Sequence, residues 1–161
     1  KVAQDREEAG HYMGGLDWPG AIANISAAVQ YLKSKGCKKV GVCGFCMGGA
    51  LTIATAANCE DIDAAVPFYG VPDLSKVPVE KIKCPVFAHF AEKDQAKGFS
   101  DCTARDNLEA AFKKGGVKYE IKTWPGVDHA FMNADGPNYN PEVAKQALAE
   151  SCEWFNKQLN N

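Results

Sequence analysis

One short segment, residues 39–49 (KVGVCGFCMGG), constrains the fold of this chain more than any other. An apolar run leads directly into Gly44-x-Cys46-x-Gly48, and small residues with the spacing of a helix follow. A strand that turns this sharply into a helix strains the turn residue and crowds its neighbours. We therefore expect that Gly44 and Gly48 must both lack a Cβ atom. The pattern is typical of a nucleophile elbow, with cysteine where serine more often stands.

The elbow predicts a reactive thiol at Cys46. The turn would lift the sulphur above the carboxyl end of the sheet, beside the positive end of the next helix, which favours the thiolate. The backbone N–H of Met47 would then point towards a developing oxyanion.

Two other interpretations use the same residues. A glycine-rich turn can simply pack a strand against a helix. In addition, Cys43-Gly-Phe-Cys46 matches the C-x-x-C pattern of thiol–disulfide centres. Against the redox interpretation, Cys43 lies inside the predicted strand, and the residues after Cys46 continue as an elbow would.

The rest of the chain alternates helical and strand-like patterns. Four short runs predict strands, and four longer stretches predict helices. The strands are Lys39–Cys43, Ala64–Phe68, Pro85–Phe90 and Val117–Trp124, and the helices are Trp18–Lys35, Met47–Asn58, Asp101–Lys114 and Pro141–Leu159. This alternation favours an α/β fold with a mainly parallel sheet and right-handed crossovers. The length fits one domain, to which we assign residues 1–161.

The first predicted strand would be an exposed edge. Lys39–Cys43 comes only after a helix, and apolar edges of this kind are normally paired or covered. We therefore expect that N-terminal strands of the fold are missing from this chain, which starts without Met.

Composition excludes several classes of protein. The 18 Lys and Arg nearly balance the 20 Asp and Glu, and no run of five like charges indicates a nucleic-acid partner. No apolar stretch approaches the ~18 residues of a membrane span. The seven cysteines are an odd number scattered over helices and strands, which favours free thiols in a reducing compartment, the cytoplasm.

A cysteine nucleophile needs a base and a group that orients the base. His129 follows the last predicted strand on a Pro-Gly turn, and Asp94 follows the third strand. Both lie at the carboxyl edge of the predicted sheet, where sites of α/β proteins gather. The order Cys46, Asp94, His129 is the nucleophile–acid–base order of the α/β-hydrolase fold.

Other polar residues fit these roles less well. His89 lies within a predicted strand and is expected to be a core or hydrogen-bonding histidine. Asp128 adjoins His129 and is expected to serve the turn, and Glu92 is a weaker candidate for the acid.

With these motifs, the chain resembles the dienelactone hydrolase family of α/β-hydrolases from about Asp17 to its C-terminus. The resemblance is carried by Gly44–Gly49, Phe68–Gly70, Ala91–Asp94 and His129–Phe131, and by the spacing between them. It implies that Cys46 is the nucleophile, His129 the base and Asp94 its partner. The implied reaction is hydrolysis of a small ester or lactone through an acyl-thioester, with no metal and no organic cofactor.

The resemblance also implies features outside this stretch. Family members carry upstream strands that supply a second oxyanion N–H, an acidic residue that controls the thiol, and part of the substrate pocket. The missing N-terminal segment is therefore an expected partner of this chain. Dienelactone-cleaving members hold the substrate carboxylate with arginines, one of them four residues after the catalytic histidine. Asn133 occupies that position here, so we expect a substrate other than the dienelactone.

Two aromatic residues are candidates for the substrate pocket. Tyr69 follows the second strand, and Phe131 lies beside His129. For both, a packing role is the alternative. Besides hydrolysis, two further functions stay open: a thiol–disulfide protein using Cys43 and Cys46, and a non-catalytic family member kept for binding.

Overall fold

A computed structural model describes residues 6–160 as an α/β fold. The elements are α1 (Arg6–Gly14), α2 (Trp18–Ser34), β1 (Gly41–Phe45), α3 (Met47–Asn58), β2 (Ala64–Phe68), a 3₁₀ turn (Val79–Lys81), β3 (Val86–Ala91), α4 (Cys102–Gly115), β4 (Tyr119–Trp124) and α5 (Pro141–Leu159). The four strands form one sheet in the order β1-β2-β3-β4, and every neighbouring pair is parallel. The predicted fold class is confirmed.

The strand boundaries differ from those predicted, because pairing partners rather than composition fix them. β1 continues to Phe45, which pairs with Phe68, although a glycine precedes it. The prediction ended the strand at Cys43 because it assigned Gly44-x-Cys46-x-Gly48 to the turn. At β4 the first two predicted residues are outside the strand, since the N–H of Val117 donates to the carbonyl of Phe112. The short helix α1 was not predicted, since its sequence carries no apolar stripe.

Side-chain caps fix where the main helices begin. The carboxylate of Asp17 accepts a hydrogen bond from the N–H of Gly20 at 3.1 Å, and α2 starts at the next residue after Asp17. Asp101 caps α4 in the same way through the N–H of Ala104, also at 3.1 Å. Each cap satisfies a backbone donor that the helix itself leaves free.

Helices cover the sheet on two faces. One core contains Val29, Ile53, Leu108 and Phe112, so α2, α3 and α4 share this face of the sheet. On the opposite face, α5 packs its Trp154 into a second core with aromatic residues of the strands. Burying one such side chain contributes roughly 1.5–3 kcal/mol, so the two cores position the strand ends firmly.

A buried polar chain joins the strands to α5. The indole N–H of Trp124 donates to Nδ1 of His89 at 3.1 Å, so the ring proton of His89 sits on Nε2 and faces Oγ of Ser151 at 3.0 Å. The hydroxyl of Ser151 in turn donates to the carbonyl of Ala147 at 2.7 Å. Burial lowers the pKa of His89 to about 3. His89 is therefore a neutral, hydrogen-bonded core residue, as its place in a strand predicted.

The parallel sheet brings four loops to one edge. Cys46 directly follows β1, Tyr69 follows β2, Asp94 lies just beyond β3, and His129 comes after β4. Within residues 6–160, β1 is one outer strand, and the side chain of Phe45 on it is 45% exposed. No helix in the described part of the chain is both long and apolar enough to cross a membrane.

Candidate active site

The turn between β1 and α3 holds Cys46 in an unusual backbone conformation. Its φ is 54° and its ψ is −120°, a region that costs a non-glycine residue about 1–3 kcal/mol. Two hydrogen bonds hold the turn: the N–H of Cys46 donates to the carbonyl of Phe68 at 3.0 Å, and its carbonyl accepts from Ala50 at 3.1 Å. The strained residue is thus fixed by β2 on one side and by the first turn of α3 on the other.

The glycines around the turn are crowded, but not the pair that the sequence indicated. A Cβ on Gly44 would lie 2.1 Å from the carbonyl oxygen of Gly48, so the expectation there is correct. The expectation for Gly48 is wrong, since a Cβ on that residue would meet nothing within 4 Å. Instead, a Cβ on Gly49 would lie 2.3 Å from the Phe68 carbonyl oxygen, and one on Gly70 would lie 2.0 Å from that of Cys46. The start of α3 therefore lies close to the end of β1 as well as to the end of β2.

Three side chains from different loops meet at the sheet edge. Nε2 of His129 lies 3.2 Å from Sγ of Cys46, and Nδ1 lies 2.7 Å from Oδ2 of Asp94. The second carboxylate oxygen of Asp94 accepts from the N–H of Ala96 at 3.0 Å. The Asp94 side chain has no exposed surface, whereas that of His129 is 26% exposed. This is the arrangement of a nucleophile, a base and an orienting acid.

The electrostatics of the three groups favour an ion pair. The hydrogen bond from His129 lowers the pKa of the Cys46 thiol, with a further contribution from the Met47 N–H, although burial acts in the opposite direction. The hydrogen bond to Asp94, followed by that to Cys46, raises the pKa of His129 to about 9. Burial alone would raise the pKa of Asp94, but its hydrogen bonds outweigh that effect and lower it. The lowered pKa of Cys46 and the raised pKa of His129 both favour the thiolate–imidazolium pair over the neutral thiol and imidazole.

Ser100 also belongs to the site and was not predicted. Its side chain is buried, with Oγ at 3.1 Å from Nδ1 of His129, and it helps to lower the pKa of the Asp94 carboxyl. No pattern in the sequence indicates this role. In the sequence Ser100 is simply the polar residue that precedes Asp101, the N-cap of α4.

The other candidates lie close by, with different surroundings. The N–H of Met47 helps to lower the pKa of the Cys46 thiol, so this donor lies near the sulphur. Tyr69 is buried with a positive φ of 36°, and the edge of its ring is packed at a centroid distance of 5.0 Å from His129. Phe131 is fully buried, and its ring lies 5.3 Å from that of Tyr69. Tyr69 thus contacts the site directly, while Phe131 supports it from the core.

The weaker acid candidates serve turns instead. Oδ1 of Asp128 accepts from the backbone N–H of His129 at 2.6 Å, as its place in the turn predicted. Glu92 accepts from the N–H of Gly126 at 2.8 Å and is exposed. Each carboxylate fixes the loop that carries His129, so both shape the site without contacting the imidazole ring.

A small cavity lies next to Tyr69, whose ring packs against His129. It has a volume of about 260 Å³ and is lined by Phe45, Tyr69, Met132 and Asn133. A larger cavity of about 670 Å³ lies elsewhere, between α2 and residues 73–77. Neither lining contains Cys46, Asp94 or His129, but the smaller cavity includes Tyr69 and is therefore the one that adjoins the site.

The side chains that the structure describes form no arginine clamp at Cys46. Arg105 lies on α4, where it pairs with Asp106 at 2.7 Å and donates to Thr123 at 3.0 Å. Asn133, at the position of the family's arginine, is neutral. Across residues 6–160, no group of three or more His, Cys, Asp or Glu side chains is arranged to hold a metal ion.

The α/β-hydrolase fold is defined by a parallel sheet with the elbow after one strand and with an acid and then a histidine after later strands. In this chain these residues follow β1, β3 and β4. The comparison with protein families agrees. The model of the dienelactone hydrolase family matches residues 1–159, so the chain belongs to that family.

Individual relatives show the same affiliation. Protein usf of Aquifex pyrophilus is 36% identical over 169 residues, covering 99% of this chain and 71% of the relative. Carboxymethylenebutenolidase 1 of Cupriavidus pinatubonensis is 31% identical over 157 residues, covering 94% of this chain and 64% of that enzyme. This chain therefore spans about two thirds of the length of these relatives.

Solved structures confirm the fold. A dienelactone hydrolase-like promiscuous phosphotriesterase from metagenomic libraries superposes with a TM-score of 0.75 at 20% identity. The match covers 92% of this chain and 65% of that protein.

Proposed function

We propose that the protein hydrolyses small esters or lactones with Cys46 as nucleophile, His129 as base and Asp94 as the acid that orients the base. The observation that carries the proposal is the continuous contact from Cys46 Sγ to His129 to the buried Asp94, with distances of 3.2 and 2.7 Å. Membership of the dienelactone hydrolase family supports the same reaction class.

The mechanism follows from where the protons lie. The Cys46 thiolate attacks the carbonyl carbon, and the carbonyl π electrons move to oxygen, beside the N–H of Met47. His129 then gives its Nε2 proton to the departing alcohol oxygen as the C–O bond breaks, which leaves an acyl-thioester. Water next attacks the thioester, His129 takes its proton, and the acid leaves as Cys46 returns to the thiolate. Asp94 keeps the proton of Nδ1 in place throughout.

The small cavity supports a neutral or apolar substrate group. Phe45 and Met132 offer it apolar surface, and Asn133 and Tyr69 complete the lining without a positive charge. This fits the proposal that the substrate is not the dienelactone itself. The second oxyanion donor, which the resemblance places in an upstream segment, remains a prediction. The free thiols of all seven cysteines are compatible with the proposed cytoplasmic location.

Hydrolysis of an activated aryl ester by the protein tests this proposal. We expect turnover that disappears in Cys46→Ala, and an acyl group on Cys46 that mass spectrometry detects after rapid acid quenching. Cys43→Ala is the matched control, since Cys43 lies in β1 and the surroundings of its sulphur raise its pKa to about 11, although the residue is exposed. Equal rates for the protein and Cys46→Ala would exclude the proposed nucleophile.

The same samples separate the alternatives. A thiol–disulfide protein would form a reversible Cys43–Cys46 disulfide and would lose its function in Cys43→Ala. A non-catalytic family member would show neither turnover nor an acyl-enzyme, with the geometry of Cys46, His129 and Asp94 intact.

A further inference from the structure

Ser100 lies beside the acid–base pair. Its Oγ is 3.1 Å from Nδ1 of His129, the nitrogen that meets Asp94, and its side chain helps to lower the pKa of the Asp94 carboxyl. The side chain is 1% exposed, so no bulk water competes for these contacts. The backbone holds the residue in place, since the N–H of Ser100 donates to the carbonyl of Ala96 at 3.0 Å.

Proton positions decide which way the Ser100 hydroxyl points. Nδ1 of His129 lies 2.7 Å from a carboxylate oxygen, so Nδ1 carries a proton and has no lone pair to accept another. The hydroxyl proton of Ser100 therefore needs another acceptor, and the negatively charged carboxylate of Asp94 meets the same nitrogen. This arrangement is the same for the neutral imidazole and for the imidazolium, because both keep the Nδ1 proton.

We propose that Ser100 is a positioning residue for the site: its hydroxyl donates to Asp94 and holds the carboxylate where Oδ2 meets the Nδ1 proton of His129. The N–H of Ala96 already donates to Oδ1 at 3.0 Å, so in this arrangement the carboxylate has two donors besides His129. The inference deepens the proposed function and rests on it for its role in turnover, but the effect on Cys46 is measurable without any substrate.

The pH dependence of Cys46 alkylation by iodoacetamide tests the inference. The rate is followed by peptide mass spectrometry, so that the other cysteines do not interfere. Ser100→Ala removes a donor that stabilises ionised Asp94, so Asp94 takes up a proton at higher pH and the thiolate–imidazolium pair is lost earlier. We expect the acid limb of the profile to move up by about one pH unit, with a roughly tenfold slower alkylation on that limb.

A second variant separates hydrogen bonding from packing. Ser100→Cys keeps nearly the same volume, but a thiol is a weak donor. If the hydroxyl acts through its hydrogen bond, this variant shifts the acid limb as Ser100→Ala does. If the profile of Ser100→Cys coincides with that of the unmodified protein, Ser100 only fills space in the core, and the inference is overturned. If Ser100→Ala does not fold, the alkylation profile of Ser100→Cys tests the inference in its place.

Two controls test whether the shift is specific to Ser100 and whether it depends on the charge of Asp94. Ser75→Ala removes another serine hydroxyl that donates to a carboxylate, Asp73 at 2.6 Å on an exposed loop, and should leave the profile unchanged. In an Asp94→Asn background, Ser100→Ala should cause no further shift, because its acceptor charge is already gone. An undiminished shift in that background would also overturn the inference.

The outcome is independent of the hydrolase assay. A shifted alkylation profile in a protein without ester turnover would reject the proposed function and leave the positioning role of Ser100 intact. Ester turnover with an unshifted alkylation profile would support the proposed function and reject the positioning role of Ser100.

Discussion

Nδ1 of His129 lies 2.7 Å from Oδ2 of Asp94, and no part of that carboxylate side chain is exposed to solvent. A charge–charge contact shielded from water is stronger than the same contact on a surface. The contact raises the pKa of His129 to about 9 and keeps its second nitrogen facing Cys46. Asp94 thus acts on the thiol through the imidazole ring.

Replacing Asp94 by asparagine should disable the site without unfolding the protein. The amide keeps the shape of the carboxylate but removes the charge that stabilises the imidazolium and selects the Nδ1–H tautomer. We expect ester turnover to fall by about 10³-fold or more, as in other triads that lose the acid. The rate is measured with the activated aryl ester, and circular dichroism checks the fold.

Glu92→Gln is the matched control for this carboxyl-to-amide change. Glu92 is exposed and only accepts from the N–H of Gly126 in the turn before His129. Its loss should change turnover by no more than about fivefold, since one exposed hydrogen bond is worth roughly 1 kcal/mol or less. A larger loss for Glu92→Gln than for Asp94→Asn would show that the acid has been assigned to the wrong residue.

The thiol of Cys46 should react with iodoacetamide at pH values below the ordinary thiol pKa, because the hydrogen bond from His129 favours the thiolate. The cation is present up to about pH 9, so it acts across the neutral range. In His129→Gln the cation is absent, and the half-maximal alkylation rate should move upwards towards the usual thiol range near 9. Peptide-resolved mass spectrometry at a series of pH values measures this shift. Coincident profiles would mean that His129 does not control the thiol.

The sequence could place the reactive residues because each follows a different strand of a parallel sheet. Such strands end at one edge, so chain order alone brings the loops of Cys46, Asp94 and His129 together. Ser100 could not be found this way, since its contact with His129 spans 29 residues and depends on how one loop folds back before α4. The crowding at Gly49 and Gly70 likewise depends on the packing of α3 against β2.

The two glycines beside Cys46 should respond differently to the same substitution. Gly44→Ala would place a Cβ 2.1 Å from a backbone carbonyl oxygen and should lower the free energy of unfolding by about 3 kcal/mol. Gly48→Ala meets no atom within 4 Å and lies in α3, where alanine is the better helix former by about 1 kcal/mol. It should be neutral or stabilising. Urea denaturation of both variants measures the difference, and equal losses would show that both positions are crowded.

The buried histidine in β3 should make the protein less stable in acid. In the unfolded chain an imidazole binds its proton near pH 6.5, whereas burial lowers the pKa of His89 in the fold to about 3. Between these values the unfolded state binds more protons, so the free energy of unfolding falls as the pH falls. The slope from this one group is about 1.4 kcal/mol per pH unit.

His89→Gln retains a donor and an acceptor for Ser151 and Trp124 but does not titrate. Urea denaturation between pH 4 and 7, about the range where one proton separates the two states, should therefore give a steeper decline for the unmodified protein than for His89→Gln. Parallel declines would mean that His89 is already protonated in the folded protein, in conflict with its acceptance of the Trp124 N–H.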